Sequence, residues 1–131
     1  MSYKIKTASA KILIIDDEPE ITEIVETFLT EAGYQVAVEN SPLKAVSKAK
    51  EFKPDVVLLD IMMPGSDGYA VCKELKQDPD FAETPIIFLT GKDREDDGGR
   101  SFQSGGDMYI KKPFSCERLL EIVNIVLMSI S

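Results

Sequence analysis

Asp55-Val56-Val57-Leu58-Leu59-Asp60 is wholly aliphatic between its end aspartates, and its reading decides the fold. A run that is apolar at every position belongs in the middle of a sheet covered on both faces, which is how parallel strands sit in α/β proteins. Three further runs end in the same manner. Ile12-Leu13-Ile14-Ile15 stops at Asp16-Asp17, Ile86-Ile87-Phe88-Leu89 stops at Thr90, and Met108-Tyr109-Ile110 leads into Lys111-Lys112-Pro113. Helical patterns separate these runs, so the strands point the same way and their ends gather at one edge. Open α/β sheets hold their ligands at that edge. Asp16, Asp17 and Asp60, with the Thr90 hydroxyl and the Lys112 ammonium, would there form a site for Mg²⁺ and a phosphoryl group.

Five strand–helix repeats can be read along the chain. Strand one covers Lys11 to Asp16. Glu18-Pro19-Glu20 opens a helix, because proline and acids suit a first turn. Ile21, Ile24, Val25, Phe28, Leu29 and Ala32 recur at helical spacing, and Gly33 closes the helix. Tyr34 to Glu39 alternates as a strand with Val36 and Val38 on one face. Ser41-Pro42 supplies a cap and a first-turn proline for helix two, which runs to about Phe52. Pro64-Gly65-Ser66-Asp67-Gly68 is a turn, and helix three follows to about Gln77, with Val71, Cys72 and Leu75 on its inner face. Pro85 to Thr90 is strand four.

Lys92 to Gly105 is expected to be helix four, weakened by Gly98-Gly99, which together cost about 2 kcal/mol relative to alanine. Asp107 to Lys111 is strand five, and Ser115 caps a last helix. That helix is apolar on more than one face, through Leu119, Leu120, Ile122, Val123, Ile125, Val126, Leu127, Met128 and Ile130. One stripe is enough for a surface helix. Part of it is therefore expected to meet a partner, unless the chain is a piece of something longer.

The chain has 131 residues, one domain's worth: a short tail over 1–10 and a folded unit over 11–131. Net charge is −8, from 23 acids and 15 bases, which argues against direct nucleic-acid binding. Lys44, Lys48, Lys50 and Lys53 read as the solvated face of helix two. The N-terminus lacks the apolar segment of a secretory signal. Ile122 to Ser131 is about half of what a membrane span needs. Cys72 and Cys116 form no metal or redox motif, and two reduced thiols suit a cytoplasmic protein. Histidine is absent. That excludes Ser-His-Asp and Cys-His catalysis on this chain, and any phosphohistidine donor must be another molecule.

Asp16-Asp17-Glu18, Leu59-Asp60-Ile61-Met62-Met63-Pro64 with Gly68, Thr90, and Tyr109 with Lys112-Pro113 occur in this order, each group at a strand end. In this the chain resembles, over nearly its whole length, the receiver domain of two-component response regulators. The resemblance implies a flavodoxin-like (βα)5 doubly wound fold, a five-stranded parallel sheet in the order 2-1-3-4-5. It implies Asp60 as phosphoacceptor. Mg²⁺ (or Mn²⁺) would be held by Asp16, Asp17, Asp60 and the backbone carbonyl of Met62. Thr90 and Lys112 would grip the phosphoryl oxygens, Tyr109 would change position on activation, and Lys112–Pro113 would be a cis peptide. The implied donor is a histidine kinase or phosphotransfer protein. The implied target is a downstream protein, or a second copy, met through the helix 4–strand 5–helix 5 face. Such a switch catalyses its own phosphorylation and dephosphorylation but turns over no independent substrate. With no output domain after helix five, it would be a stand-alone messenger or part of a larger regulator or hybrid kinase.

Rival readings meet chemical objections. An aspartate-nucleophile, Mg²⁺-dependent phosphohydrolase would place an acid two residues after Asp60, where Met62 can neither donate nor accept a proton. A flavodoxin-type carrier would cradle phosphate after strand one, where Asp16-Asp17-Glu18 would repel it. The full acid set argues against a receiver-like scaffold that is never phosphorylated, and an experiment decides that reading. Without metal those acids oppose one another, by roughly 4 kcal/mol per pair at about 4 Å and an effective dielectric near 20, before water screens them. Three features depart from the family's pattern: the Gly98-Gly99 pair, Gly106 before strand five, and Gly91 after Thr90.

Overall fold

The alternating pattern folds as expected. Residues 10–91 and 108–129 are described here from a computed structural model. Strands β1 (Lys11–Ile15), β2 (Gln35–Glu39), β3 (Val56–Asp60), β4 (Ile86–Thr90) and β5 (Met108–Lys111) form one sheet. Its order is β2-β1-β3-β4-β5, all neighbours parallel. The helices are α1 (Pro19–Glu31), α2 (Ala45–Phe52), α3 (Gly68–Gln77) and a C-terminal helix (Cys116–Ser129). The helix expected over Lys92 to Gly105, with Gly98-Gly99 and Gly106, lies outside the described residues, as does Ile130.

Side chains alternate across a strand, and this splits the core into two layers. Ile12, Ile14, Val56, Leu58, Ile87, Leu89 and Ile110 face α1 and the C-terminal helix. Leu13, Ile15, Val57, Leu59, Ile86 and Phe88 face α2 and α3. Every residue of β3 and β4 is buried, because each lies inside the sheet with cover on both sides. Edge strands β2 and β5 are only partly covered. Ala10, placed in the tail by sequence, is buried and accepts a hydrogen bond from Gln35 N at 3.0 Å.

Some details differ from expectation. In α1 the covered face is Thr22, Val25 and Leu29, while Ile24 is 62% exposed and Ala32 lies outside the helix as its C-cap. Thr22 is tolerated inside because its hydroxyl is satisfied by Pro19 O at 3.1 Å. Pro42–Lys44 forms a 3₁₀ turn before α2, and the Ser41 side chain makes no cap bond. The proline fits the tighter turn, and Ser41 N instead donates to Glu39 Oε2 at 3.0 Å. Helix α3 is capped by Asp67, whose carboxylate accepts from Tyr69 N at 2.7 Å. Ser115 caps the last helix as expected, accepting from Arg118 N at 3.1 Å. Of that helix's apolar excess, Ile125 and Met128 stay exposed.

Candidate functional site

Each expected site residue stands where its strand runs out. Asp16 and Asp17 follow β1, Asp60 and Thr90 end β3 and β4, and Lys112 follows β5. Parallel pairing brings these ends together: Ile15 stands opposite Leu59, Asp60 opposite Leu89, and Thr90 opposite Lys111. Asp16 and Asp60 are buried, at 0% and 3% exposure, and Thr90 is buried beside them. Carboxylate oxygens of Asp16, Asp17, Glu18 and Asp60 all lie within 4.8 Å of one another. Hard oxygen donors of this kind suit Mg²⁺ or Mn²⁺. The burial of two of the four makes their gathering costly without a cation.

That cation is supplied in part by Lys112. Its Nζ lies 2.8 Å from Asp16 Oδ2, 3.0 Å from Glu18 Oε1 and 3.6 Å from Asp60 Oδ1. Mutual repulsion of the acids is thus partly offset within the protein itself, which the sequence reading did not foresee. Lys112 N also donates to Thr90 O at 2.7 Å, and the Lys112–Pro113 bond is cis as expected. By sequence Glu18 is a helix-opening acid, and its clustering with the pair is legible only in the contiguity Asp16-Asp17-Glu18.

Burial pushes the Asp60 carboxyl up to about 7, and the Asp16 charge and a hydrogen bond that protonated Asp60 donates to Asp17 act in the same direction. Lys112 and the Met62 amide, which donates to Asp60 Oδ1 at 3.3 Å, pull it back down. For Lys112, burial disfavours the ammonium, yet Asp16, Glu18 and Asp60 outweigh burial and hold its pKa above the usual lysine value.

Tyr109 is half-buried against Phe88, with ring centroids 5.6 Å apart. Its hydroxyl meets that of Tyr69, whose ring packs on Phe88 at 4.9 Å. Tyr69 was missed in the sequence, although its spacing from Cys72 puts it on the inner face of α3.

Behind Asp60 the chain doubles back through a two-residue ladder, Met62–Met63 against Ser66–Asp67, so that Gly68 N donates to Ile61 O at 2.8 Å. A Cβ on Gly68 would stand 2.2 Å from the Asp60 carbonyl oxygen and 2.7 Å from Ile61 Cα. Both neighbours are backbone, so they yield only by moving Asp60's own peptide. Gly68→Ala is therefore expected to lower stability by about 1–3 kcal/mol. Any stabilisation by Mg²⁺ should shrink as well, and thermal unfolding with and without the ion checks both.

Known proteins share this fold. The family model for the response regulator receiver domain matches residues 12–124. The chain is 38% identical over 117 residues to the DNA-binding dual master transcriptional regulator RpaA of Synechocystis, covering 89% of this chain and 48% of that protein. It thus spans about half the length of that curated relative. Among solved structures it is similar to chemotaxis protein CheY4 of Vibrio cholerae, with a TM-score of 0.86 and 30% identity over 90% of this chain and 98% of that one. It is also similar to the signal receiver domain of a signal transduction histidine kinase from Syntrophus aciditrophicus, with a TM-score of 0.84 and 34% identity over 93% and 92% of the two chains. No described helix is long and apolar enough to cross a membrane.

Proposed function

Because the chain belongs to the response regulator receiver domain family, we propose that Asp60 is the phosphoacceptor of a two-component switch. The observation that carries this reading is the convergence of Asp16, Asp17, Glu18 and Asp60, with the Lys112 ammonium paired to Asp16, Glu18 and Asp60. In the proposed reaction the P–N bond of a phosphohistidine on a histidine kinase or phosphotransfer protein breaks. A P–O bond to Asp60 forms, giving an acyl phosphate. Such a transfer needs alignment and charge neutralisation more than covalent help. Asp60 must react as the carboxylate, and a nearby divalent cation favours that form by lowering its pKa.

Asp16, Asp17, Asp60 and the Met62 carbonyl would hold Mg²⁺ or Mn²⁺. The bound ion would neutralise charge on the transferring group and shield the acids from one another. Lys112 and Thr90 would bind the phosphoryl oxygens. To do so Lys112 gives up Asp16 and Glu18, and Thr90 moves toward the new group. The space it leaves receives Tyr109, which gives up Tyr69. This exchange couples the site to the face built from β5 and the C-terminal helix. A downstream protein or a second copy of the chain would read it. With net charge −8 the domain would address protein rather than DNA.

The test is exposure of the purified chain to a small phosphodonor with Mg²⁺, read by intact mass. A gain of one phosphoryl group in the parent and none in Asp60→Asn is expected. A parent that stays unmodified, while binding Mg²⁺, would favour the scaffold reading. Steady turnover of the donor by the parent, lost in Asp60→Asn and leaving no phosphorylated chain, would favour a phosphohydrolase.

A further inference from the structure

We propose that Asn40 is a positioning residue for the divalent cation, clamping the acidic loop after β1 from across the sheet. The inference rests on the metal site proposed above. Asn40 follows edge strand β2. Its Nδ2 donates to the Asp16 backbone carbonyl at 2.7 Å and to Thr22 Oγ1 at 3.1 Å. The buried Thr22 hydroxyl in turn donates to Pro19 O at 3.1 Å. The Asp16 carbonyl can only accept, so the amide must present its NH₂ group to the loop.

The geometry explains why such a clamp matters. The Asp16 carbonyl lies in the peptide plane that joins Asp16 to Asp17, and that plane is rigid. Fixing its oxygen sets the direction in which Asp17 leaves the chain. The second N–H of the same amide reaches the first turn of α1, so one side chain holds the loop at both ends. Asp16, Asp17 and Glu18 carry adjacent charges that would otherwise splay the loop. Asn40 itself touches no carboxylate oxygen in the hydrogen bonds described. It would act through the backbone, as outer partners of metal ligands do.

Titration of MgCl₂ into the full chain by calorimetry, with metal-free melting measured in parallel, tests the clamp. Asn40→Ala should bind Mg²⁺ roughly threefold or more weakly. Asn40→Asp, which keeps the shape but loses both donors, should do no better. Thr22→Val should weaken binding by part of that amount, and the Asn40→Ala/Thr22→Val double variant should match Asn40→Ala alone, since the two act through one chain of bonds. Thr22→Ser, which keeps the hydroxyl, should restore parental affinity. Equal affinity of Asn40→Ala and parent, with or without a lower metal-free melting temperature, overturns the inference alone. A parent that takes up no Mg²⁺ overturns the metal reading and the inference with it.

Discussion

At about pH 8 and without divalent metal, Asp60→Asn is expected to melt roughly 10 °C above the parent, and near pH 4 the two should nearly coincide. The Asp60 carboxyl is raised from 3.8 to about 7 in the folded protein, chiefly by burial and next by the Asp16 charge. A group whose folded pKa lies above its unfolded value binds more protons when folded. Its contribution is then favourable below the unfolded pKa and is lost as pH rises through the folded one. Here the loss runs from about pH 4 to about pH 7. The shift corresponds to on the order of 2–3 kcal/mol once screening at an open sheet edge is allowed for. Asparagine keeps the shape without the charge, so the variant escapes the loss. Added Mg²⁺ should narrow the gap from the parent's side, because the ion reverses the sign of the local field. Melting curves across this pH range measure the effect. A gap independent of pH, or a less stable variant, would contradict the assigned electrostatics.

The sheet was legible because four aliphatic runs each end in a polar residue, and parallel pairing leaves those residues nowhere to go but one edge. Asp16, Asp60, Thr90 and Lys112 were thus placed by strand register, a backbone property that sequence patterns carry well. The contacts among them were not. Three carboxylates could claim the Lys112 ammonium, and only the folded edge shows it divided between Asp16 and Glu18, with Asp60 farther off. Asn40 was illegible for a similar reason: its partners lie after β1 and in α1, 24 and 18 residues away. The Met62–Met63 and Ser66–Asp67 ladder is too short to show a period. Ile24 matches the helical spacing of the core yet points outward, since a wide apolar stripe exceeds what the sheet can cover. Thr22 took the inward place because a hydroxyl with both a donor and an acceptor partner is affordable in the interior.

Lys112→Met should cost the metal-free protein about 3–5 kcal/mol near neutral pH, the loss typical of breaking a buried ion pair from one side. Methionine retains most of the apolar stem, so the change isolates the charge. Asp16, fully buried, loses the ammonium at 2.8 Å, and Asp60 loses an influence that lowers its pKa. The folded pKa of Lys112 is raised, so the stability due to its ammonium is in full force below the ordinary lysine value and fades only as pH climbs through the higher folded one. The deficit should therefore be undiminished at neutral pH and shrink in acid, where the carboxylates themselves take up protons. Mg²⁺ should stabilise this variant by more degrees than the parent, because the ion then replaces a missing charge rather than competing with one already present. Equal Mg²⁺-induced shifts in the two proteins would mean that the ion and the ammonium serve separate sets of acids. With Lys112 occupied by Asp16 and Glu18 before phosphorylation, the same variant should also take up phosphoryl groups slowly even at saturating Mg²⁺. The ion can restore the charge balance of the site, but not the donor on the β5 side that would meet the incoming oxygens.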